Sequence, residues 1–268
     1  MAIMDKATEI IICGAAGRMG EAIIAAAAID PGITVAGLVE ARGHPKVGSS
    51  VEVGDARVLI RADLPRVERA VLVDFTAPEA AVEHLRKAVI FGYPAVIGTT
   101  GLSADQGREM EHASRKIPVV TSANMSAGVN LLLGLVREAA RALGPAADIE
   151  IIEVHHNRKK DAPSGTALML ADAAADGRPR GAGLVHGRHG TPGPRTPGEI
   201  GIHAVRGGDV FGDHTVLFAM AGERLELTHR AHGRDAFARG ALLAARFAST
   251  AKPGIYSMGH VLGLGGTA

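Results

Sequence analysis

The hydrophobic pattern of the first 126 residues alternates between short continuous apolar runs and longer segments with helical spacing. Runs such as 9–13 (EIIIC) and 70–75 (AVLVDF) are typical of strands that are buried on both faces. Strands that alternate with helices predict a parallel sheet with right-handed crossovers. The predicted strands are 9–13, 33–40, 58–60, 70–75, 94–97 and 118–122, and the predicted helices are 19–29, 78–91 and 103–115.

The pattern changes after about residue 127. Residues 148–155 (DIEIIEVH) alternate between apolar and polar side chains, which predicts a strand with one buried face. Three later strands are predicted to be antiparallel. The Gly-, Pro- and Arg-rich segment 176–198 is predicted to be a functional loop rather than a linker, because long loops inside compact domains are usually functional. The other predicted elements are helices 129–143, 167–175 and 237–247 and strands 200–206, 214–221 and 223–229.

Composition narrows the class of protein. The chain has 29 Lys and Arg against 28 Asp and Glu, a formal net charge of +1, which argues against non-specific nucleic-acid binding. The single cysteine, Cys13, excludes an internal disulfide framework and favours a reducing compartment. No apolar stretch approaches the ~20 residues that span a bilayer, and the first apolar run leads into a glycine turn rather than a cleavage site. We therefore expect a soluble cytoplasmic protein without a membrane partner.

Three glycines follow the first predicted strand with the spacing G-x-x-G-x-x-G, at Gly14, Gly17 and Gly20. A glycine turn that opens a helix lets a pyrophosphate approach the N–H groups of the helix N-terminus. Glu40 ends the second strand, where an acid can bind the ribose hydroxyls of a dinucleotide. Arg42 is close enough in sequence to bind a 2′-phosphate, so both NADH and NADPH stay open. The simpler interpretation of Glu40 is a solvated strand end.

Two further strands end in loops, at 75–76 (FT) and at 98–101 (GTTG). Ligands of open α/β sheets bind beyond the carboxyl ends of the strands, and small residues leave room there for a nicotinamide ring. We therefore expect both loops to contact a cofactor, although each is also compatible with an ordinary turn.

The segment 153–168 (EVHHNRKKDAPSGTAL) concentrates groups that bind anions and transfer protons. His155 and His156 end a strand, so their side chains are expected on opposite faces unless the strand stops between them. Lys159 adds a positive charge and a proton donor. A fold does not require this cluster for its stability, which points to chemistry.

A helix is predicted to begin directly after these residues. Pro163 suits its first turn, and Ser164, Gly165 and Thr166 are expected to present free N–H groups. Such a terminus binds carboxylate or phosphate. The sequence therefore predicts a site for a small anion, most simply a carboxylate, beside groups that deliver protons.

Simpler interpretations compete with this site. A histidine pair can bind a metal, but zinc requires three or four ligands and the thiolates are absent, so no metal is expected. Arg158, Lys159 and Lys160 can form an ordinary solvated face, which leaves the adjacent helix start unexplained. Asp161 is expected to be a cap or a partner of a catalytic group rather than a base, and Cys13 a core residue rather than a nucleophile.

Six segments together resemble the 4-hydroxy-tetrahydrodipicolinate reductases, also called dihydrodipicolinate reductases, of bacterial lysine and diaminopimelate synthesis. The pattern H-H-x-x-K-x-D-A-P-S-G-T-A is specific to this family, and the likeness covers nearly the whole chain. The segments are GAAGRMG (14–20), VDFTAPEA (73–80), IGTTG (97–101), SANMSAGVN (122–130), EVHHNRKKDAPSGTAL (153–168) and GEIGIHAVRGGDVFGDHTV (198–216).

The resemblance implies an α/β oxidoreductase that uses NADH or NADPH to reduce 4-hydroxy-tetrahydrodipicolinate to tetrahydrodipicolinate with loss of water, as a homotetramer. It implies a Rossmann domain of residues 1–126 and 237–268, and a substrate-binding and tetramerisation domain, 127–236, with a mixed, largely antiparallel sheet. His155 is implied as proton donor or acceptor and Lys159 as second proton donor, while His156, Gly165 and Thr166 bind the substrate carboxylates. The implied cofactor site consists of Gly14, Ala15, Ala16, Gly17, Arg18, Met19, Glu40, Gly98, Thr99, Thr100, Ser122, Ala123, Asn124 and Met125.

Three positions depart from the family pattern. Ala41 stands where many members carry an arginine after the ribose-binding glutamate, and Ala77 stands where some carry a basic residue after D-F-T. Both changes remove possible partners of a 2′-phosphate, so we expect NADH to be used and leave any preference for NADPH open. Met125 replaces a common phenylalanine and is expected to affect the chemistry little, since methionine fills pockets flexibly.

Two other classes share parts of the pattern. A non-catalytic NAD-sensing or scaffold protein would tolerate loss of the basic cluster, so the intact Lys159 and the Ser164-Gly165-Thr166 turn weigh against it. Aspartate- or inositol-type dehydrogenases share the Rossmann half but are not expected to carry the 155–166 pattern.

Overall fold

A computed structural model of the chain describes residues 7–177 and 183–264. These residues form two compact units, a first unit of residues 7–127 and 234–264 and a second unit of residues 128–177 and 183–233. The elements in chain order are β1 (Thr8–Cys13), α1 (Arg18–Ala28), β2 (Ile33–Val39), β3 (Ser50–Val53), β4 (Ala56–Arg61), β5 (Val71–Asp74), α2 (Pro78–Phe91), β6 (Ala95–Ile97), α3 (Ala104–Ser114), β7 (Pro118–Thr121), α4 (Ala127–Leu143), β8 (Asp148–His155), α5 (Gly165–Asp176), β9 (Leu184–His186), β10 (Ile200–Arg206), β11 (Gly212–Met220), β12 (Glu223–Ala231), α6 (Asp235–Thr250), β13 (Gly254–Tyr256) and α7 (Met258–Val261).

The first unit is built on an eight-stranded sheet in the order β13-β7-β6-β5-β1-β2-β4-β3. Its strand pairs are parallel except for the β3–β4 hairpin, so the predicted parallel sheet is confirmed. β3, β13 and α7 were not predicted. The β3–β4 hairpin turns at Gly54, whose φ of +58° favours glycine.

The two faces of this sheet bury two separate cores. Ile10 and Ile12 of β1 pack in the core that α1 and α6 cover, whereas Ile11 and Cys13 pack in the core that α2 and α3 cover. A strand with helices on both faces needs a continuous apolar run, which explains the pattern EIIIC. Cys13 is fully buried, so the prediction of a core residue is confirmed.

The second unit contains a five-stranded sheet in the order β12-β11-β8-β10-β9. β11 is antiparallel to both β8 and β12, as predicted. β10 was predicted to be antiparallel, and this is wrong, because it runs parallel to β8 and β9. The mixed sheet is thus confirmed, but its pairs are divided evenly between the two directions.

One face of this second sheet is covered by helices of its own unit. Ile149 and Ile151 of β8 pack with Leu170 of α5 and Val136 of α4 in a third core. The alternation predicted for residues 148–155 is confirmed, since inward residues are buried and Ile152, which points outward, is 37% exposed.

The segment 176–198 contains β9, which the prediction of a loop missed. Residues 178–182 lie outside the described residues. Arg188 and Arg195 both pair with Glu150 of β8, and Arg188 also pairs with Glu199. Burial alone would raise the pKa of Glu150, but hydrogen bonds from Arg188, His203 and Arg195 outweigh it and lower this pKa to about 2. The described part of the segment is therefore anchored to the sheet by ion pairs.

None of the helices in the described ranges combines the length and the apolar character needed to cross a membrane.

Candidate active site

The residues predicted to bind the cofactor lie at one edge of the first sheet. The edge is formed by the carboxyl ends of parallel strands, where ligands of such sheets bind. Residues 14–19 follow β1, Glu40 follows β2, residues 98–100 follow β6 and residues 122–125 follow β7. Three residues of this set are buried, Ala15, Thr99 and Met125, and of these Ala15 and Met125 belong to the core.

The glycine turn after β1 is tightly closed. Gly14 has a φ of +77°, and the N–H groups of Gly14 and Ala15 both donate to the carbonyl oxygen of Val39. A Cβ atom on Gly20 would lie 2.1 Å from the carbonyl oxygen of Gly14, so only glycine fits there. The N-cap of α1 is Gly17, which provides no side-chain cap. The first N–H groups of α1 thus lack a capping side chain, as a pyrophosphate site requires.

Glu40 is part of this turn. Its Oε2 accepts a hydrogen bond of 2.9 Å from the N–H of Ala16, and its Oε1 accepts one of 2.8 Å from the N–H of Ala41. The carboxylate therefore joins the glycine turn to the end of β2 and is more than a solvated strand end. Arg42, the candidate for a 2′-phosphate, instead forms an exposed ion pair of 3.0 Å with Asp63.

A buried carboxylate that the sequence analysis missed connects the two strand-end loops. Asp74 is fully buried at the end of β5, and its Oδ1 accepts hydrogen bonds from the N–H and the hydroxyl of Thr76 and from the hydroxyl of Thr99. Its Oδ2 lies 2.7 Å from Nδ1 of His84. The loops after β5 and β6 are therefore held together by one side chain.

Phe75 and Gly98 make the same two loops pack closely. A Cβ atom on Gly98 would lie 2.1 Å from Cε1 of Phe75, so the ring rests on the glycine. Gly98 is consequently required for packing, whether or not it also contacts a cofactor.

Cys13, Asp74 and His84 form a cluster of potential metal ligands among the described residues, with their ligand atoms within 4.8 Å of one another. Burial, and then the charge of Asp74, raise the pKa of the Cys13 thiol. A protonated thiol is a poor metal ligand, and Asp74 already accepts four hydrogen bonds. The cluster is best explained as a structural network.

The second unit places the predicted catalytic residues around the end of β8. His155 is buried, and its Nδ1 lies 2.6 Å from Oε2 of Glu153, which is fully buried. β8 stops at His155, and the half-buried His156 follows, with its Nδ1 accepting a hydrogen bond from the N–H of Arg158. A Cβ atom on Gly212 would lie 3.0 Å from Nε2 of His155, so the glycine keeps that nitrogen accessible.

Lys159 is held near this strand end by its neighbours in sequence. Its N–H donates to the carbonyl oxygen of His156, and its Nζ forms an ion pair of 2.8 Å with Asp161. The Lys159 ammonium lowers the pKa of Asp161, so this carboxylate is a charge partner of the lysine and a poor base at neutral pH.

The start of α5 differs from the prediction in two respects. Ser164 is the N-cap, with its Oγ accepting from the N–H of Ala167, so Pro163 precedes the helix instead of lying in its first turn. The N–H of Ser164 was expected to be free, but it donates to Oε1 of Glu153 at 3.0 Å. Gly165 is the first helical residue and is exposed, so its N–H is available for an anion.

Glu153, His155, Ser164 and Arg206 form what we call the Glu153 cluster. Arg206 binds both carboxylate oxygens of Glu153, with Nη1 at 2.7 Å from Oε2 and Nη2 at 2.8 Å from Oε1. Burial alone would raise the pKa of Glu153, but hydrogen bonds from Arg206, His155 and Ser164 lower it. Sequence reasoning missed Glu153 and Arg206. For Glu153 a signal exists, since it lies two residues before His155 on an alternating strand and so shares its face.

His214 of β11 was also missed. Its Nε2 lies 3.0 Å from Oγ of Ser164, its ring packs edge-on against that of His155, and its Nδ1 has no partner among the described residues. Burial, and then the neighbouring His155, lower the pKa of His214 to about 4. His214 is therefore a neutral partner of the α5 N-cap.

The fold and the arrangement of the site residues indicate the class of protein to which the chain belongs. A parallel sheet with a glycine turn after its first strand and a carboxylate after the second is a dinucleotide-binding fold of the Rossmann type, here joined to a second unit that carries the histidine and lysine cluster. The chain belongs to the dihydrodipicolinate reductase family. Residues 8–125 match the family description "Dihydrodipicolinate reductase, N-terminus" and residues 128–262 match "Dihydrodipicolinate reductase, C-terminus". The resemblance inferred from the sequence is confirmed.

Individual relatives agree with the family. The chain is 53% identical to a 4-hydroxy-tetrahydrodipicolinate reductase of Rubrobacter xylanophilus over 95% of its length and 98% of the relative's. It is 46% identical to one of Anaeromyxobacter dehalogenans over 97% and 99% of the two chains. A solved structure, dipicolinate-bound dihydrodipicolinate reductase from Paenisporosarcina sp. TG-14, shares the fold with a TM-score of 0.76 and 24% identity, over 94% of this chain and 97% of that chain.

The buried His214 predicts a specific loss of stability in acid. In the unfolded chain it titrates near 6.5, whereas in the folded protein it accepts a proton only near pH 4. As the pH falls from 6.5 to 4, protonation favours the unfolded state by up to roughly 3 kcal/mol. Urea unfolding between pH 7.5 and 4.5 should show that His214→Gln removes part of this decline, while the exposed His186→Gln does not. Equal pH dependence in the wild type and His214→Gln would contradict the assignment.

Proposed function

We propose that the protein catalyses the reduction of 4-hydroxy-tetrahydrodipicolinate to tetrahydrodipicolinate, with loss of water, in lysine and diaminopimelate biosynthesis. The observation that carries the proposal is the identity of 53% and 46% to two reductases of this name, over nearly the full length of the chain. The second unit supports it, because His155, Lys159 and the start of α5 belong to one short segment that begins at the end of β8. Each turnover consumes one hydride and one proton and releases one water molecule.

The substrate is a small cyclic dicarboxylate, and the start of α5 is the proposed binding point for its carboxylates. Gly165 is exposed at the first helical position, where N–H groups and the helix dipole favour an anion. Thr166 follows it, and we assign carboxylate contacts to both residues and to the half-buried His156 of the same segment. Lys159, 20% exposed, supplies positive charge on the same segment.

His155 and Lys159 are the proposed proton-transfer groups. Nδ1 of His155 is engaged by Glu153, which leaves Nε2 to exchange a proton with the substrate. Lys159 carries three donor hydrogens on a flexible stem, and its ion pair with the exposed Asp161 is easily exchanged for one with a substrate carboxylate. We therefore propose that His155 is the proton donor or acceptor, and that Lys159 binds substrate and acts as the second proton donor.

The family uses a nicotinamide cofactor, which supplies the hydride when it is bound. We assign it to the carboxyl edge of the first sheet, where residues 14–19 would hold the pyrophosphate, Glu40 the ribose, and residues 98–100 and 122–125 the nicotinamide end. The uncapped start of α1 and the close contact of Gly20 with Gly14 support this fit. Glu40 would bind a ribose through the carboxylate lone pairs that the N–H groups of Ala16 and Ala41 leave unused.

The proposed activity predicts large losses in two variants. Lys159→Ala and His155→Gln should each lower kcat by roughly 10²–10⁴-fold, because each removes a proton-transfer group. NADH binding, measured by fluorescence titration, should be unchanged. The assay mixes the protein with synthase-generated substrate and NADH and follows the nicotinamide absorbance.

Lys160→Ala provides the matched control for this assay, since it removes a charge of the same type from an exposed neighbour. It should retain near wild-type turnover. Normal turnover in both Lys159→Ala and His155→Gln would show that the catalytic assignment is wrong, and no reduction by the wild type would refute the proposed function.

We further propose that the protein uses NADH readily. The positions of Ala41 and Ala77 offer no cation to a 2′-phosphate, and Arg42 is already paired with Asp63. Ala41→Arg should therefore lower the KM for NADPH by about tenfold, through a charge-assisted hydrogen bond, with little change for NADH. Steady-state kinetics with both cofactors tests this, and a wild-type preference for NADPH of tenfold or more would contradict it.

We also propose a homotetramer assembled through the second unit. The sheet face opposite α4 and α5 exposes Ile152 and Val205, at 37% and 45%, and half-buries Val154 and Leu217. Register places these four side chains on one face across β8, β10 and β11. Apolar side chains exposed together on one sheet face indicate a protein interface.

Light scattering tests the assembly directly. The wild type should have four times the chain mass of 27.6 kDa, and Val205→Asp should lower the mass by placing a charge in the interface. Ile90→Asp, at a 73% exposed position of α2, should leave it unchanged. A monomeric wild type at micromolar concentration would exclude the tetramer.

A further inference from the structure

The Glu153 cluster contains a carboxylate with no role in the proposed chemistry described so far. Glu153 is fully buried and accepts four hydrogen bonds, from Nδ1 of His155, both terminal nitrogens of Arg206 and the N–H of Ser164. A buried carboxylate is stable only when it is paired and fully hydrogen-bonded. Here its donors are one proposed catalytic group, one helix cap and one charge partner.

We propose that Glu153 is a positioning residue for the reductase reaction. It holds the proton of neutral His155 on Nδ1, so that Nε2 is the nitrogen that exchanges a proton with the substrate, and it does so from the same carboxylate that anchors the N-cap of the substrate-binding helix. This inference rests on the proposed function for the identity of the reaction.

The hydrogen-bond chemistry determines which nitrogen of His155 carries the proton. The guanidinium of Arg206 can only donate, and an ionised carboxylate can only accept. Because Arg206 and the N–H of Ser164 keep Glu153 ionised, the 2.6 Å contact requires His155 to donate from Nδ1. In neutral His155 the other nitrogen then carries a lone pair. Gly212 leaves space beside Nε2, because any other residue at this position would place its Cβ atom 3.0 Å from that nitrogen.

The same carboxylate determines the position of the α5 N-terminus. Oε1 of Glu153 accepts from the N–H of Ser164, and Oγ of Ser164 caps the helix at Ala167. His214 supports the serine from the other side, with Nε2 at 3.0 Å from its Oγ. The carboxylate of Glu153 thus hydrogen-bonds both to the proposed proton-transfer group and to the N-cap of the helix that carries the proposed carboxylate-binding N–H groups. It therefore fixes the distance between them.

Arg206 prevents the buried charge from opposing substrate binding. An uncompensated carboxylate beside a helix N-terminus would repel a dicarboxylate and weaken the helix dipole. The bidentate guanidinium neutralises Glu153 and also donates from Nη2 to the carbonyl oxygen of Asp161. The positive potential at the start of α5 is therefore retained.

Glu153→Gln tests the proposal because it alters the donor pattern while preserving shape. The amide oxygen can still accept from the N–H of Ser164 and from Nη2 of Arg206, but the amide NH₂ then faces Nδ1 of His155 and Nη1 of Arg206. The histidine can accept this hydrogen bond only with its proton on Nε2. We expect kcat to fall by about 10²-fold or more, while the affinities for dipicolinate, by calorimetry, and for NADH change less than threefold.

Nitrogen-15 NMR of histidine-labelled protein reads the protonation directly. At a pH where His155 is neutral, the wild type should show protonated Nδ1 and unprotonated Nε2 for this ring, and Glu153→Gln should show the reverse. The His155 signals are identified by their loss in His155→Gln. The wild-type measurement requires neither the Glu153→Gln variant nor enzymatic turnover, so it tests the inference even if the proposed function fails.

Glu150→Gln is the matched control, because it removes another arginine-paired carboxylate from the same strand. Its kcat should stay within about twofold of the wild type. Three outcomes would overturn the proposal: a wild-type proton on Nε2, a Glu153→Gln variant with wild-type kcat, or parallel losses of kcat and dipicolinate affinity in Glu153→Gln and Glu150→Gln alike.

Discussion

The second unit depends on the pairing of one buried negative charge. Removing a carboxylate from water costs several kcal/mol unless charged and polar donors replace the solvent. Glu153 meets this requirement with donors from three places in the chain, on β8, before α5 and at the end of β10. The requirement therefore constrains the fold as well as the site: a sheet register or helix start that removed a donor would leave the charge uncompensated.

The first unit also stabilises its loops with carboxylates, but their hydrogen-bond donors are mostly backbone N–H and hydroxyl groups. Glu40 binds one N–H group in the glycine turn and one directly after β2, and Asp74 binds hydroxyl and N–H groups from two loops. In both cases a carboxylate at the end of a strand satisfies backbone groups of loops that lack regular secondary structure. These loops keep a defined shape while their outer surfaces stay available for a ligand, which suits a pre-organised dinucleotide site.

The sequence predicts local structure well and long-range pairing poorly. Continuous apolar runs identified β1 and β5, and the alternation of residues 148–155 identified β8, because these patterns reflect burial. The direction of β10 could not be read from its own residues, since strand direction depends on which neighbour it pairs with. The short strands β3, β9 and β13 have too few residues for a period to show and, unlike the equally short β6, they are not buried throughout.

The candidate site shows the same difference between residues that are close in sequence and residues that only the fold brings together. His155, Lys159 and Gly165 lie within one segment and were identified from their spacing. Arg206 lies 53 residues from Glu153 and His214 lies 50 from Ser164, and only the parallel pairing of β10 and the antiparallel pairing of β11 bring them together. The wrong expectation for the Ser164 N–H follows from the same gap, because its acceptor belongs to a strand eleven residues away.

The order of the two units along the chain determines the order in which they can fold during translation. The second unit is a continuous stretch of chain, whereas the first unit takes α6 from the C-terminal part, and Ala241, Leu242 and Ala245 of that helix complete its core. On the ribosome, one apolar face of the early sheet is covered only in part, by α1, until these residues emerge, whereas residues 128–233 are synthesised before them and can fold first. The nucleotide-binding half is therefore finished last although it is translated first, and during that interval the uncovered part of this face is the surface that chaperones would protect.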